Sequence, residues 1–165
     1  MSRTGQQQQQ QQRALVLFEE AFHRLQDGEM EEAVRLYKAS IAEYATAEAY
    51  TSLGWAYSCL GDFSQAIAEC LRAISLDPDL GDPYNDIGVY LLAQDELDEA
   101  IPWFEKAIGA PCYETPGSSW MSLGQIYMSK ELPGKARSCF ERAKTLGTDD
   151  DCASEAYEEA DLLIN

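Results

Sequence analysis

The chain has 165 residues, 45% of them hydrophobic and 25% charged, with 12 Lys and Arg against 29 Asp and Glu for a formal net charge of −17. A soluble domain of that length buries enough surface to fold without metal or disulfides. The acidity disfavours phosphate backbones and anionic lipid, both of which reward basic clusters, so nucleic acid and membrane surfaces are not expected partners.

Residues 1–12 lack the apolar core of a secretory leader, and no apolar run approaches the roughly 18 residues of a membrane span. Residues 6–12 are all glutamine. With no apolar member to anchor it, the Gln-rich stretch 1–13 is expected to be disordered or a frayed extension of the first helix.

From residue 14 the chain repeats itself. Tyr50, Leu53, Gly54 and Tyr57 recur as Tyr84, Ile87, Gly88 and Leu91, and again as Trp120, Leu123, Gly124 and Tyr127. Ala66, Ala100 and Ala136 follow each glycine at one offset, and Ala73, Ala107 and Ala143 at another. A weaker first copy ends in Ala33 and Ala39, with Glu20 and Ala21 in place of the aliphatic-Gly pair. Positions four apart, such as Leu53 and Tyr57, share one helical face. The glycines and alanines stand where a bulky residue would hold neighbouring helices apart. Short polar turns at Gln26-Asp27-Gly28, Leu60-Gly61-Asp62, Gln94-Asp95-Glu96 and Lys130-Glu131-Leu132-Pro133 make each unit an antiparallel helix pair.

Punctuation supports this reading. Asp82-Pro83 and Thr115-Pro116 have the form of an N-cap followed by a first-turn proline, and Asp62 with Gln65 has capping-box form. Pro102 falls inside a helix and is expected to bend it. The interval between the third and fourth units is longer by two residues, and the excess, in 110–116, is expected to bulge from one edge.

The pattern resembles the tetratricopeptide repeat (TPR) family, whose signature is Trp-x-x-Leu-Gly-x-x-Tyr followed by Ala, Phe and Pro. Residues 47–80 match it at Leu53, Gly54, Tyr57, Ala66, Ala73 and Pro78, with Tyr50 in place of Trp and Cys70 in place of Phe; Phe104 marks the third unit, and Trp120, Leu123, Gly124, Tyr127 and Phe140 the fourth. The resemblance implies an all-α, right-handed superhelix of four helix-turn-helix repeats: 14–46 (divergent), 47–80, 81–116 (with the loop insertion) and 117–150. A helix in 151–165, with Ala153, Ala156, Tyr157, Ala160 and Leu163/Ile164 on one stripe, is expected to cap the stack.

Little in the chain suggests catalysis. His23 is the only histidine, so hydrolytic triads and His-based metal sites have almost nothing to build on. The Glu19-Glu20 and Glu31-Glu32 pairs and the triplet Asp149-Asp150-Asp151 read as solvated faces. Cys59, Cys70, Cys112, Cys139 and Cys152 are odd in number and never spaced Cys-x-x-Cys, which suits a reducing cytoplasm. No enzyme activity, cofactor or metal is expected.

Recognition of another protein is the function that the resemblance implies, because TPR first helices line a concave groove. Carried onto this chain, the groove comprises Phe18, Phe22, Glu48, Thr51, Trp55, Ser58, Asp82, Asn85, Asp86, Val89, Leu92, Met121, Gln125 and Met128. Residues 47–129 contain 13 acids and only two cations, Arg72 and Lys106, both on second helices. TPR proteins that clamp an acidic peptide terminus need cations where this chain has Glu48, Asp82 and Asp86. The expected ligand is therefore a peptide segment, extended or helical, that is apolar with basic flanks. Two alternatives remain open from sequence: a cytosolic chaperone resembling those of type III secretion translocators, and a self-associating structural dimer. Lys135, Arg137, Arg142 and Lys144 are expected to face the acids of the capping helix.

Overall fold

The computed structural model describes residues 3–147 and 150–164. Within them the chain forms nine helices: α1 (Arg3–Gln26), α2 (Met30–Glu43), α3 (Ala47–Cys59), α4 (Phe63–Leu76), α5 (Asp82–Ala93), α6 (Leu97–Gly109), α7 (Pro116–Ser129), α8 (Pro133–Thr145) and α9 (Asp150–Leu162). The one β-type pairing among the described residues is an isolated bridge between Leu80 and Cys112. Asp149 of the acidic triplet lies outside the described residues. Two compact units divide the chain, residues 1–78 and 79–165.

The turn inside each helix pair is built the same way four times. Glu29, Asp62, Glu96 and Leu132 donate their backbone N–H to the carbonyls of Arg24, Tyr57, Leu91 and Tyr127, at 2.8–3.0 Å. The residue before each donor is left-handed: Gly28, Gly61, Asp95 and Glu131, with φ of 81°, 78°, 63° and 57°. This is the bond pattern of a helix ending on a left-handed C′ residue, normally glycine. Two of the four turns accept a non-glycine there against its backbone preference.

The small residues do what close helix approach requires. Ala33, Ala66, Ala73, Ala100, Ala107, Ala136 and Ala143 are completely buried. A Cβ built on Gly54 would stand 2.9 Å from the Ala66 carbonyl oxygen, on Gly88 2.8 Å from the Phe104 ring, and on Gly124 2.3 Å from the Phe140 ring. In unit 1 the core gathers Ala21, Leu25, Ala33, Leu36 and Tyr37 with Leu53 and Ala56 of the next pair. In unit 2 it gathers Ala100 and Phe104 with Leu123, Ile126 and Cys139.

The structure departs from some expectations and bears on others. Of the two readings of the N-terminal stretch, the described residues follow the helical extension: α1 starts at Arg3 and runs through the glutamines, which are all exposed. Glutamine is a fair helix former, and the packed part of α1 already bears the cost of nucleation. The 110–116 loop does not bulge outward but folds back on the segment before α5. Gly81 donates to Cys112 O and Cys112 to Asp79 O, both at 2.9 Å. Tyr113 lies on Gly81, where an added Cβ would stand 2.3 Å from the Tyr113 Cβ. Pro102 does fall inside a helix, α6. Asp62 caps α4 as expected, accepting from Gln65 N at 3.1 Å, whereas Asp82 is already the first helical residue of α5 and Gly81 takes the cap position.

The helix α9 buries Ala153 and Ala160, the latter against Ala136 and Phe140. Its apolar stripe stops there, since Leu163 and Ile164 are exposed. Of the four basic residues expected to face its acids, Arg137 pairs with Asp161 at 2.7 Å and also lies over the Tyr157 ring. Lys135 and Arg142 turn instead to the rings of Tyr127 and Trp120 on α7. A cation held over an aromatic face keeps its hydrated head while covering the ring.

Candidate functional site

In unit 1 the first helices α1 and α3 present a mixed surface. Trp55 and Phe22 are 48% and 40% exposed, an unusual outlay of aromatic area to water. Both stand one residue past the small residue of the repeat, Gly54 and Ala21. Phe18 is half-buried, with its ring edge-on to Tyr37 at 5.4 Å between centroids. Thr51 and Ser58 turn their hydroxyls to carbonyls of their own helix, Ala47 O and Trp55 O, each at 2.8 Å. Glu48 is exposed in the first turn of α3, where the helix dipole favours a carboxylate.

A cleft of about 390 Å³ opens beside Phe18 and Glu48, lined also by Gln11, Ala14, Leu15, Ser40, Tyr44 and Thr46. Gln11, Leu15 and Tyr44 were not among the expected site residues. The signal for Leu15 was available: positions 11, 15, 18 and 22 share one helical face. Tyr44 had none, because it lies in the linker after α2.

In unit 2 the equivalent of Trp55 is Val89, 40% exposed, and that of the fourth repeat is Gln125, also exposed. Leu92 instead joins the packing around Phe104 and Leu123. Met121 and Met128 pack against Ala136, Phe140 and Ala160, at the junction with α9. Asn85 and Asp86 belong to a polar network that sequence reading did not foresee. Tyr113 Oη lies 2.9 Å from Ser118 Oγ and 3.0 Å from Ser119 Oγ. Ser119, fully buried, donates to Asn85 Oδ1 at 2.8 Å. Burial pushes the Asp86 carboxyl up to about 7, opposed by a hydrogen bond from Asn85 and reinforced by Asp82. Asp82 itself is raised, by burial and by Glu114.

These helix pairs, their left-handed turns and their glycine-on-phenylalanine contacts are the geometry of one repeat family. Tetratricopeptide repeat profiles match residues 47–80, 84–109 and 117–146. The chain belongs to the tetratricopeptide repeat family. Its fold is the all-α TPR solenoid fold, and the three stretches matched are repeats of that family. Among solved structures, it is similar to one from a functional characterization of Pseudomonas aeruginosa pilF, with a TM-score of 0.83 at 18% identity over 92% of this chain and 68% of that one. It is also similar to the C-terminal part of a TPR repeat-containing protein from Cytophaga hutchinsonii (TM-score 0.76, 21% identity), over 91% of this chain but only 59% of that one. A third likeness is to the first TPR of Spaghetti (RPAP3) bound to the HSP90 peptide SRMEEVD (TM-score 0.66, 23% identity), over 73% of this chain and 94% of that one. At such identities the likeness shows the fold alone. No curated protein matches the sequence. Among the described residues, no helix is long and apolar enough to cross a membrane, and no group of three metal-ligating side chains comes together.

Proposed function

We propose that this TPR protein is a protein-interaction adaptor whose first helices bind a peptide segment of a partner, apolar with basic flanks. One observation carries the reading. Three successive first helices place a large apolar side chain at the same repeat position, and Phe22, Trp55 and Val89 are each 40–48% exposed. A repeat that used this position only for packing would bury it. TPR structures do take peptides, as the RPAP3 repeat does with SRMEEVD.

Charge selects the class of peptide. The two cations of residues 47–129 are engaged on second helices, Arg72 with Glu69 at 3.0 Å and Lys106 over the Trp103 ring. The first helices offer Glu48, Asp82 and Asp86, and the carboxyls of Asp82 and Asp86 are raised by burial rather than steadied by a cation. A partner's Lys or Arg would lower that cost, whereas an acidic tail would raise it. Thr51 and Ser58 in unit 1, and Leu92, Gln125, Met121 and Met128 in unit 2, are taken as secondary contacts within their own units. Asn85, whose carbonyl oxygen is taken by Ser119, orients Asp86. The five free thiols suit a cytoplasmic setting.

Calorimetric titration of paired basic and acidic apolar peptides tests the charge preference, and tighter binding of the acidic series would refute it. A pulldown comparing wild type with Trp55→Ala and Val89→Ala tests the surface. Genuine partners are lost with those side chains, and retention of every partner would refute the assignment.

A further inference from the structure

The cleft beside α1 goes unused by the three exposed positions just described, and its chemistry is more specific than theirs. Its floor is apolar: Ala14, Leu15, Phe18 and the ring of Tyr44. Two of its polar side chains are already engaged within the protein. Ser40 Oγ donates to Ala14 O at 2.7 Å, and Thr46 Oγ1 accepts from Ala49 N at 3.1 Å. Yet Leu15 and Tyr44 remain 49% and 37% exposed, so an apolar surface stands open to water at a concave place.

The rim carries one charge. Glu48 is exposed, and among the described residues no cation pairs with it. Among the described residues, no Lys, Arg or His lines the cleft. The cleft on the other side of α1 differs: it is lined by Gln9, Gln12, Arg13, Val16, Leu17 and Glu43, and with both signs present it selects nothing by charge.

We propose that the α1–α3 cleft is an anchoring pocket for an apolar side chain of a partner peptide that carries a Lys or Arg one helical turn away, the cation pairing with Glu48. Gln11 stands at the rim, where its amide can meet the peptide backbone. This deepens the adaptor reading and rests on it, naming the entry point of the segment in unit 1. Apolar contact supplies the affinity, and the carboxylate supplies the choice among apolar segments.

The test uses the full chain, labelled with ¹⁵N, and three short acetylated peptides in an alanine-glutamine host. Each carries leucine, with lysine, glutamine or glutamate one helical turn away. Amide shifts are expected to centre on Leu15, Phe18, Tyr44 and Glu48, with the lysine peptide binding about two- to fivefold more tightly than the glutamine one, as for a partly exposed ion pair. Glu48→Lys should reverse the order of the lysine and glutamate peptides, and Leu15→Ser should abolish the shifts. Both positions are exposed, so circular dichroism should match wild type. An unchanged order in Glu48→Lys overturns the proposal. Shifts at Trp55 and Val89 without any at the cleft overturn it while leaving the adaptor reading standing. No shift anywhere with any peptide counts against both. Shifts at Leu15 and Tyr44 that grow with protein concentration in the absence of peptide make a second copy the occupant, which also overturns it.

Discussion

Replacing Gly124 by alanine tests the packing logic on which the stack depends. On an exposed helix this change stabilises by about 1 kcal/mol, because alanine loses less backbone entropy than glycine. Here the new Cβ would stand 2.3, 2.6 and 2.7 Å from Cε1, Cδ1 and Cζ of Phe140, against an ordinary carbon contact of about 3.5–4.0 Å. Phe140 is 1% exposed, buried with Ala136 and Ala160, so its ring can yield only by moving α7 away from α8. Overpacking of that kind costs about 1–3 kcal/mol and exceeds the propensity gain. Gly109, the last residue of α6, is the control, since a Cβ there meets nothing within 4 Å. Urea unfolding followed by circular dichroism should show Gly124→Ala destabilised by about 1–3 kcal/mol. Gly109→Ala should be unchanged or stabilised by up to about 1 kcal/mol. Combining Gly124→Ala with Phe140→Leu should recover part of the loss as a favourable coupling. If Gly124→Ala proves as stable as Gly109→Ala, close helix approach is not why glycine stands there.

Three further outcomes follow from individual sites. Glu131→Gly should raise stability by about 1 kcal/mol, seen as a higher melting temperature, because the left-handed backbone of Glu131 (φ 57°) costs a non-glycine residue about that much. Asp86 has its folded pKa raised to about 7, above its ordinary 3.8, so its contribution is fully present below the unfolded value and is lost as pH rises through 7. Stability measured from pH 4 to 8 should therefore fall in wild type relative to Asp86→Asn, with Asp86→Asn more stable at pH 8 by on the order of 1–3 kcal/mol; a parallel pair of curves would refute this. Tyr113→Phe removes the hydroxyl that meets Ser118 and Ser119. It should cost about 0.5–1.5 kcal/mol and speed hydrogen exchange at the Cys112 and Gly81 amides, which hold the loop to the segment before α5.

The architecture was legible before any coordinates because helix pairing leaves its mark residue by residue. Leu53, Gly54 and Tyr57, then Ala66 and Ala73, repeat since each must meet an equivalent neighbour, and a small residue at a close crossing has no substitute of larger size. The exposed positions Phe22, Trp55 and Val89 were legible for the same reason: once the register of the small residue is known, so is the residue after it. What the repeat could not carry was anything that departs from it. The return of the 110–116 loop onto Gly81 depends on backbone bonds between Asp79, Gly81 and Cys112, which have no side-chain signature. Asn85 reads in sequence as a ligand donor, yet its oxygen is taken by Ser119, 34 positions away.

The sequence by itself determined the succession of helix pairs, the short polar turns within them, and an acidic middle with few cations, because these follow from local periodicity and composition. Only the tertiary structure decided which of the expected groove residues remain exposed. Met121, Met128 and Leu92 have the same apolar character as Trp55 and Val89, and burial is a property of neighbours rather than of residues. The same holds for the cleft beside Glu48: its rim carboxylate and Phe18 were expected from the repeat, but its closure by Tyr44 was not.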